Sequence, residues 1–169
     1  MKYNNFTDFV EGWITSTARK VMKRDGYHVP LIVSWTNDGL PHFHPLDKLM
    51  SIADEMDEYG DEGYHSAKDV IATYIKKMLK DEKAIAYAHI TECWYMKQDA
   101  GKPVSTYNIR HLPDKREAVN ITWEYKRNGT HRSGAYLMPF KRVDKKIVFK
   151  KTKSVSSDKV GGRFMRLLS

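Results

Sequence analysis

Apolar residues near the N-terminus recur at spacings of three and four: Phe6, Phe9, Val10, Trp13, Ile14, Val21 and Met22. That period predicts a helix over about residues 7–24 with one buried stripe, capped by Thr7 or Asp8 and ended by Gly26. Strict alternation follows. Val29, Leu31, Val33 and Trp35 interleave with His28, Pro30, Ile32 and Ser34, then Asn37-Asp38-Gly39 turns the chain into Leu40–Leu46, which reads as a hairpin. Pro30, Pro41 and Pro45 donate no backbone hydrogen bond, so this ribbon belongs at a sheet edge.

Two helical patterns come next. One spans Asp47–Tyr59 with Leu49, Met50, Ile52, Ala53 and Met56 inward. After a break at Gly60–Gly63, a second opens at Ser66, with Asp69 at capping-box spacing and Val70, Ile71, Tyr74, Ile75, Met78 and Leu79 as its buried stripe. Ala84–Met96 is apolar on both faces and rich in β-branched and aromatic residues, which predicts a central strand covered on both sides. Gln98–Lys115 reads as a long polar loop. Strands at Ala118–Tyr125, Ser133–Arg142 and Lys146–Thr152 complete a meander, turning at Arg127-Asn128-Gly129-Thr130 and Val143-Asp144-Lys145. Residues 153–169 form a basic tail, loose over 153–162, with Phe164, Met165, Leu167 and Leu168 able to dock. The order α-β-β-α-α-β-β-β-β predicts one α+β domain over residues 1–169. Its antiparallel sheet joins an edge hairpin to a C-terminal meander, and about three helices pack mainly on one face.

Charge changes this picture most. Residues 1–101 hold 12 basic and 16 acidic residues, a net −4, whereas residues 102–169 hold 17 and 5, a net +12. The first half includes an acidic run: Asp54, Glu55, Asp57, Glu58, Asp61 and Glu62. A basic half of this size is an electrostatic footprint for nucleic acid or an acidic protein surface, and the same lysines can equally be a solvated strand face. The residues expected to make contact are Arg127, Arg132, Lys141, Arg142, Lys145, Lys146, Lys150, Lys151 and Lys153, with Tyr125, Tyr136 and Phe140 as stacking groups for single strands. The single cysteine, Cys93, and the lack of a basic-then-apolar leader or a long apolar run set the expectation of a cytoplasmic protein without a membrane partner.

Three constellations bear on chemistry. His42 and His44, two apart on a strand, present both imidazoles to one face as paired metal ligands require, with His28 and His65 as further donors; exposed edge histidines are the alternative. His89-Ile90-Thr91 and His131-Arg132-Ser133 each place a histidine and a hydroxyl on one strand face, and the two pairs resemble the signature of two-histidine phosphoesterases. That resemblance implies His89 and His131 as acid and base on a phosphodiester, with Thr91 and Ser133 holding its oxygens. Arg132 departs from the apolar residue of that pattern, and the 42-residue separation is short for it. Glu92 shares a strand face with Ala88, Ile90 and Trp94, so its carboxylate needs a partner. A structural ion pair with Arg116, or else Arg110, is the expectation, against a catalytic carboxylate as the alternative.

Glu92-Cys93-Trp94, a loop, and Pro113-Asp114-Lys115-Arg116-Glu117 before a strand resemble a Glu-x-Trp … Pro-x-x-Arg-Glu pattern in small uncharacterised phage and bacterial proteins. The resemblance covers residues 84–125, with Cys93 in place of a small alanine, and implies a strand-loop-strand core without an activity. There is no phosphate-cradling glycine loop, nucleophile elbow, Cys-x-x-Cys pair or dinucleotide fingerprint, so no cofactor is expected. The leading expectation is a small accessory binding protein, phage-encoded and acting in the host cytoplasm. The alternatives are a phosphodiester-directed enzyme of two-histidine type, or a structural component of a virion-like assembly in which the acidic run of one copy meets the basic meander of the next.

Overall fold

Asn5 opens the first helix, its side chain accepting a hydrogen bond from the Asp8 amide at 2.8 Å and so satisfying one of the amides that a helix start leaves unpaired. Thr7 and Asp8, the expected caps, lie inside the first turn. The helix, α1, runs without a break through Phe6–Asp8, a wider π-helical stretch Phe9–Ile14, and Thr15–Asp25. It ends on Gly26, whose left-handed φ of 81° lets its amide reach the Met22 carbonyl at 2.9 Å. The computed structural model describes residues 5–56, 61–96, 113–156 and 167–168.

Strands β1 (Leu31–Trp35) and β2 (Pro41–Pro45) follow, then helices α2 (Asp47–Glu55) and α3 (Asp61–Asp81). The meander is β3 (Ala86–Tyr95), β4 (Arg116–Arg127), β5 (Thr130–Val143), β6 (Lys146–Phe149) and β7 (Lys153–Ser156). All pairings are antiparallel, in the order β2-β1-β3-β4-β5-β6, with β7 also on β5. The α+β class and the antiparallel sheet are as expected, and the two-proline strand β2 lies at an edge. The turn at Asn128-Gly129 has both residues left-handed, φ 49° and 75°, and so does Asp144-Lys145, 46° and 64°. These are the turn conformations whose twist matches a tight hairpin.

One particular differs from expectation: the helices divide between the two faces. Side chains alternate along a strand, and β3 sends Ala86, Ala88 and Ile90 to α1 but Tyr87 to α3. On β1, Val33 joins the α1 cluster and Ile32 the cluster under α2 and α3. The helical stripes also shift. Helix α3 begins at Asp61, so Gly63 and Ser66 are interior to it and Ser66 is not its first residue. It buries Ala67, Ile71, Ile75 and Leu79, four apart, and leaves Val70 and Tyr74 exposed; Ile52 of α2 likewise faces out.

The sheet runs further toward the C-terminus than expected, since Lys153–Ser156 form β7. Phe149 pairs with Phe140 and Lys153 with Leu137. Four steps on one side match three on the other, a β-bulge after Lys150, whose amide reaches the Pro139 carbonyl at 2.7 Å. Strands β6 and β7 are thus one bulged edge strand, held to α1 by a hydrogen bond from Arg19 to Thr152 and by the Arg19 guanidinium 5.9 Å from the centre of the Phe149 ring. The expected docking of Phe164 and Met165 falls outside the described residues, but Leu167 is buried under α3. No helix among the described residues is long and apolar enough to cross a membrane.

Candidate functional site

The bulged edge strand carries Lys146, Lys150, Lys151 and Lys153, all exposed. Lys141 and Lys145 extend the row at one end of the sheet, while Arg127 and Arg132, also exposed, stand at the other, beside the Asn128-Gly129 turn. The opposite edge, β2, has no lysine or arginine. The basic residues therefore follow the outer rim of the sheet and do not gather on one face.

Two members of the expected interface are used elsewhere. Phe140 is only 3% exposed and packs edge-on against Phe149 at 5.8 Å between ring centroids. Tyr125 and Tyr136 lie partly buried against the same core. Among the described residues no stacking ladder for single strands lines this rim. Arg142 is internally engaged: its guanidinium donates to the Gly26 carbonyl at 2.6 Å, to Glu117 at 3.1 Å and to Glu92 at 3.3 Å.

Arg142, then, is the partner of Glu92, and Arg116 is not. The register pairs Glu92 with Val119 and Tyr95 with Arg116, which puts Arg116 on the opposite face of the sheet from Glu92. Arg142 shares the Glu92 face, two positions beyond Phe140, which pairs with Glu117. Glu92 also accepts from the His28 amide at 2.6 Å, so the network ties the end of α1 to three strands. Its carboxylate keeps 28% exposure. Arg110 lies outside the described residues. Burial, and secondarily the Glu92 charge, pushes the thiol of neighbouring Cys93 up to about 11, which leaves it protonated and inert near neutrality.

The deeply buried carboxylate is Glu124, 1% exposed, which sequence reasoning passed over. It lies directly opposite Tyr87 and takes a hydrogen bond from the Tyr87 hydroxyl. Burial first, and Glu124 second, push that phenol above its ordinary value. The amides of Leu167 and Leu168 donate to Glu124 at 2.9 and 3.4 Å, and His131 Nε2 lies 2.7 Å away. The sequence signal was parity: Glu124 sits on the β4 face of Ala118 and Thr122, opposite that of Ile121 and Trp123.

The histidines do not assemble as the sequence suggested. His89, Thr91, His131 and Ser133 project to the same face, yet His89 stands opposite Thr122, which pairs with Ala135, four positions from His131. Two strand spacings across and four residues along put the two histidine backbones about 17 Å apart, beyond the reach of one phosphodiester. His89 is buried, and His131 is bound to Glu124. His42 and His44 do share a face. There Glu82 meets His44 Nε2 at 3.2 Å and His42 Nδ1 at 3.9 Å, and Ser34 donates to Glu82 at 2.7 Å. Among the described residues no three His, Cys, Asp or Glu side chains are placed to hold a metal ion. His28 lies apart, beside α1, and the side chain of His65 is outside the described set.

On the α1 face, a cavity of about 490 Å³ lies between the helix and the β1–β2 ribbon. Trp13, Ile14 and Ala18 line it from above, Leu31, Val33 and Phe43 from the sheet, and His28 and Asp47 at its margin. In comparison with known proteins, the chain matches no family model, no curated protein and no solved structure.

Proposed function

We propose that this chain is a nucleic-acid-binding accessory protein that grips phosphates along the rim formed by β6 and β7. The observation that carries the reading is the row of exposed lysines on that bulged strand, Lys146, Lys150, Lys151 and Lys153. At strand rise the row is about 23 Å long, which lies against roughly a dozen charges of a duplex. Lys141, Lys145, Arg127 and Arg132 extend the contact along the sheet. With no aromatic platform on the rim among the described residues, recognition rests on the backbone of the nucleic acid and is indifferent to sequence.

Fluorescence anisotropy with a mixed-sequence duplex of about 30 base pairs, at salt from about 50 to about 200 mM, tests this. Binding is expected at low salt, with a log–log salt slope between about −4 and −7 for four to eight phosphate contacts. Replacing the four lysines by serine should flatten the slope by about 3.6. No binding at low salt, or an unchanged slope in the variant, overturns the reading. Polyglutamate that competes as well as DNA would instead identify an acidic protein surface as the partner.

A further inference from the structure

We propose that the cavity between α1 and the β1–β2 ribbon is a binding site for a small amphipathic organic cation, an amine carried on an aromatic or compact apolar body. The cavity, about 490 Å³, falls within the range of small-molecule sites. It opens beside the π-helical stretch of α1, which contributes Trp13 and Ile14; such widened turns recur at functional sites. Its floor is aliphatic, and Trp13 and Phe43, 5.8 Å apart between ring centroids, form an aromatic wall. Tyr27 at the margin is well exposed.

The polar groups decide the charge of the occupant. Arg24 is already spent on Asp25 through two hydrogen bonds of 2.6 Å. His28 Nδ1 lies 2.7 Å from the Val29 carbonyl, and a carbonyl only accepts, so the proton is on Nδ1 and Nε2 keeps a lone pair. Burial lowers the pKa of this ring, which favours that neutral form. Asp47, the first residue of α2, has no ion-pair partner among the described residues. Three ionised residues line the cavity, Arg24, Asp25 and Asp47, and they sum to −1. Thr17, Tyr27 and Trp13 can donate only from neutral groups, whereas the groups that favour a cation are the His28 Nε2 lone pair, the Asp47 carboxylate and the aromatic faces beside them. A carboxylate or phosphate ligand would find no free positive charge there. An ammonium group finds an anion, a lone pair and ring faces around an apolar pocket for its body.

The test uses three probes of one shape on the full chain: phenethylamine, phenylpropionate and phenylethanol. Indole N–H resonances of the four tryptophans, assigned through Trp13→Phe, locate binding. Phenethylamine should shift the Trp13 signal saturably and bind at least about tenfold more tightly than phenylpropionate. Asp47→Asn, which keeps a residue suited to a helix start, should abolish that preference while leaving phenylethanol unaffected. Thr17→Phe, which fills the cavity, should remove the shift; if this variant does not fold, the Asp47→Asn result decides. No saturation by about 10 mM amine, equal or tighter binding of the carboxylate, a shift at Trp94 in place of Trp13, or an unchanged preference in Asp47→Asn overturns the proposal.

Discussion

Four donors converge on the Glu124 carboxylate, from Tyr87, His131 and the amides of Leu167 and Leu168. Removing a buried charge that satisfies several groups leaves each of them unpaired, so Glu124→Ala should cost about 3–5 kcal/mol. Glu92→Ala, which opens a partly exposed pair with Arg142, should cost about 1 kcal/mol. Urea unfolding of the two variants checks the order, and equal losses would refute it. His89 offers a pH test. Burial, with a smaller contribution from the Lys68 charge, pushes its pKa down to about 4 from 6.5. A depressed base is neutral in the folded chain while the unfolded chain still takes up a proton, so stability falls as pH falls from about 6.5 to about 4 and levels off below. The loss attributable to His89 is up to about 3 kcal/mol. Unfolding free energies at about pH 7 and about pH 4.5 should differ less in His89→Leu than in the parent; an identical difference would show that His89 does not supply the effect.

At the scale of elements, the β4–β5 ladder contains one tight fit. Gly134 sits opposite Trp123, and a methyl group there would lie 2.8 Å from the indole ring. The ring is rigid and buried, so Gly134→Ala forces it off its rotamer at about 1–3 kcal/mol. Thermal unfolding together with Trp123 fluorescence would report both the loss and the displacement; a neutral substitution would mean that the ring has room to move. This constraint was not legible in the sequence, because it depends on which residue the register places opposite Gly134. Register also explains the misassigned partner of Glu92: Arg116 is near in sequence, but pairing with Tyr95 turns it to the other face. What was legible rests on local chemistry. Asn128-Gly129 demanded its turn, the prolines of β2 demanded an edge, and the two apolar faces of β3 announced two covering layers even though the helices were assigned to one. The stripe of α3 failed at Val70 and Tyr74 because an apolar residue three positions from a buried one, here Ala67 and Ile71, lies on the stripe in sequence but off the contact in space, and in α2 Ile52 faces out beside buried Ala53. The cavity beside α1 had no sequence signal, since it arises from how a helix sits over a ribbon about twenty residues away.

The whole molecule is electrically lopsided, and the sheet organises the asymmetry. One edge strand is lysine-rich and the other has no lysine or arginine, while the apolar cavity opens on the α1 face. The proposed phosphate and amine sites therefore select opposite charges on separate surfaces, and either can fail alone. The same sheet order has a consequence for chain entropy. Strands β4 and β5 close through the two-residue turn at Asn128-Gly129, whereas β1 meets β3 only across about fifty residues that include α2 and α3. With closure entropy growing as three-halves of RT times the logarithm of loop length, joining β1 to β3 costs about 3 kcal/mol more than closing that hairpin. The half of the sheet that bears the basic rim is held together by contacts local in the chain, and the half that walls the cavity depends on the long connection through both helices.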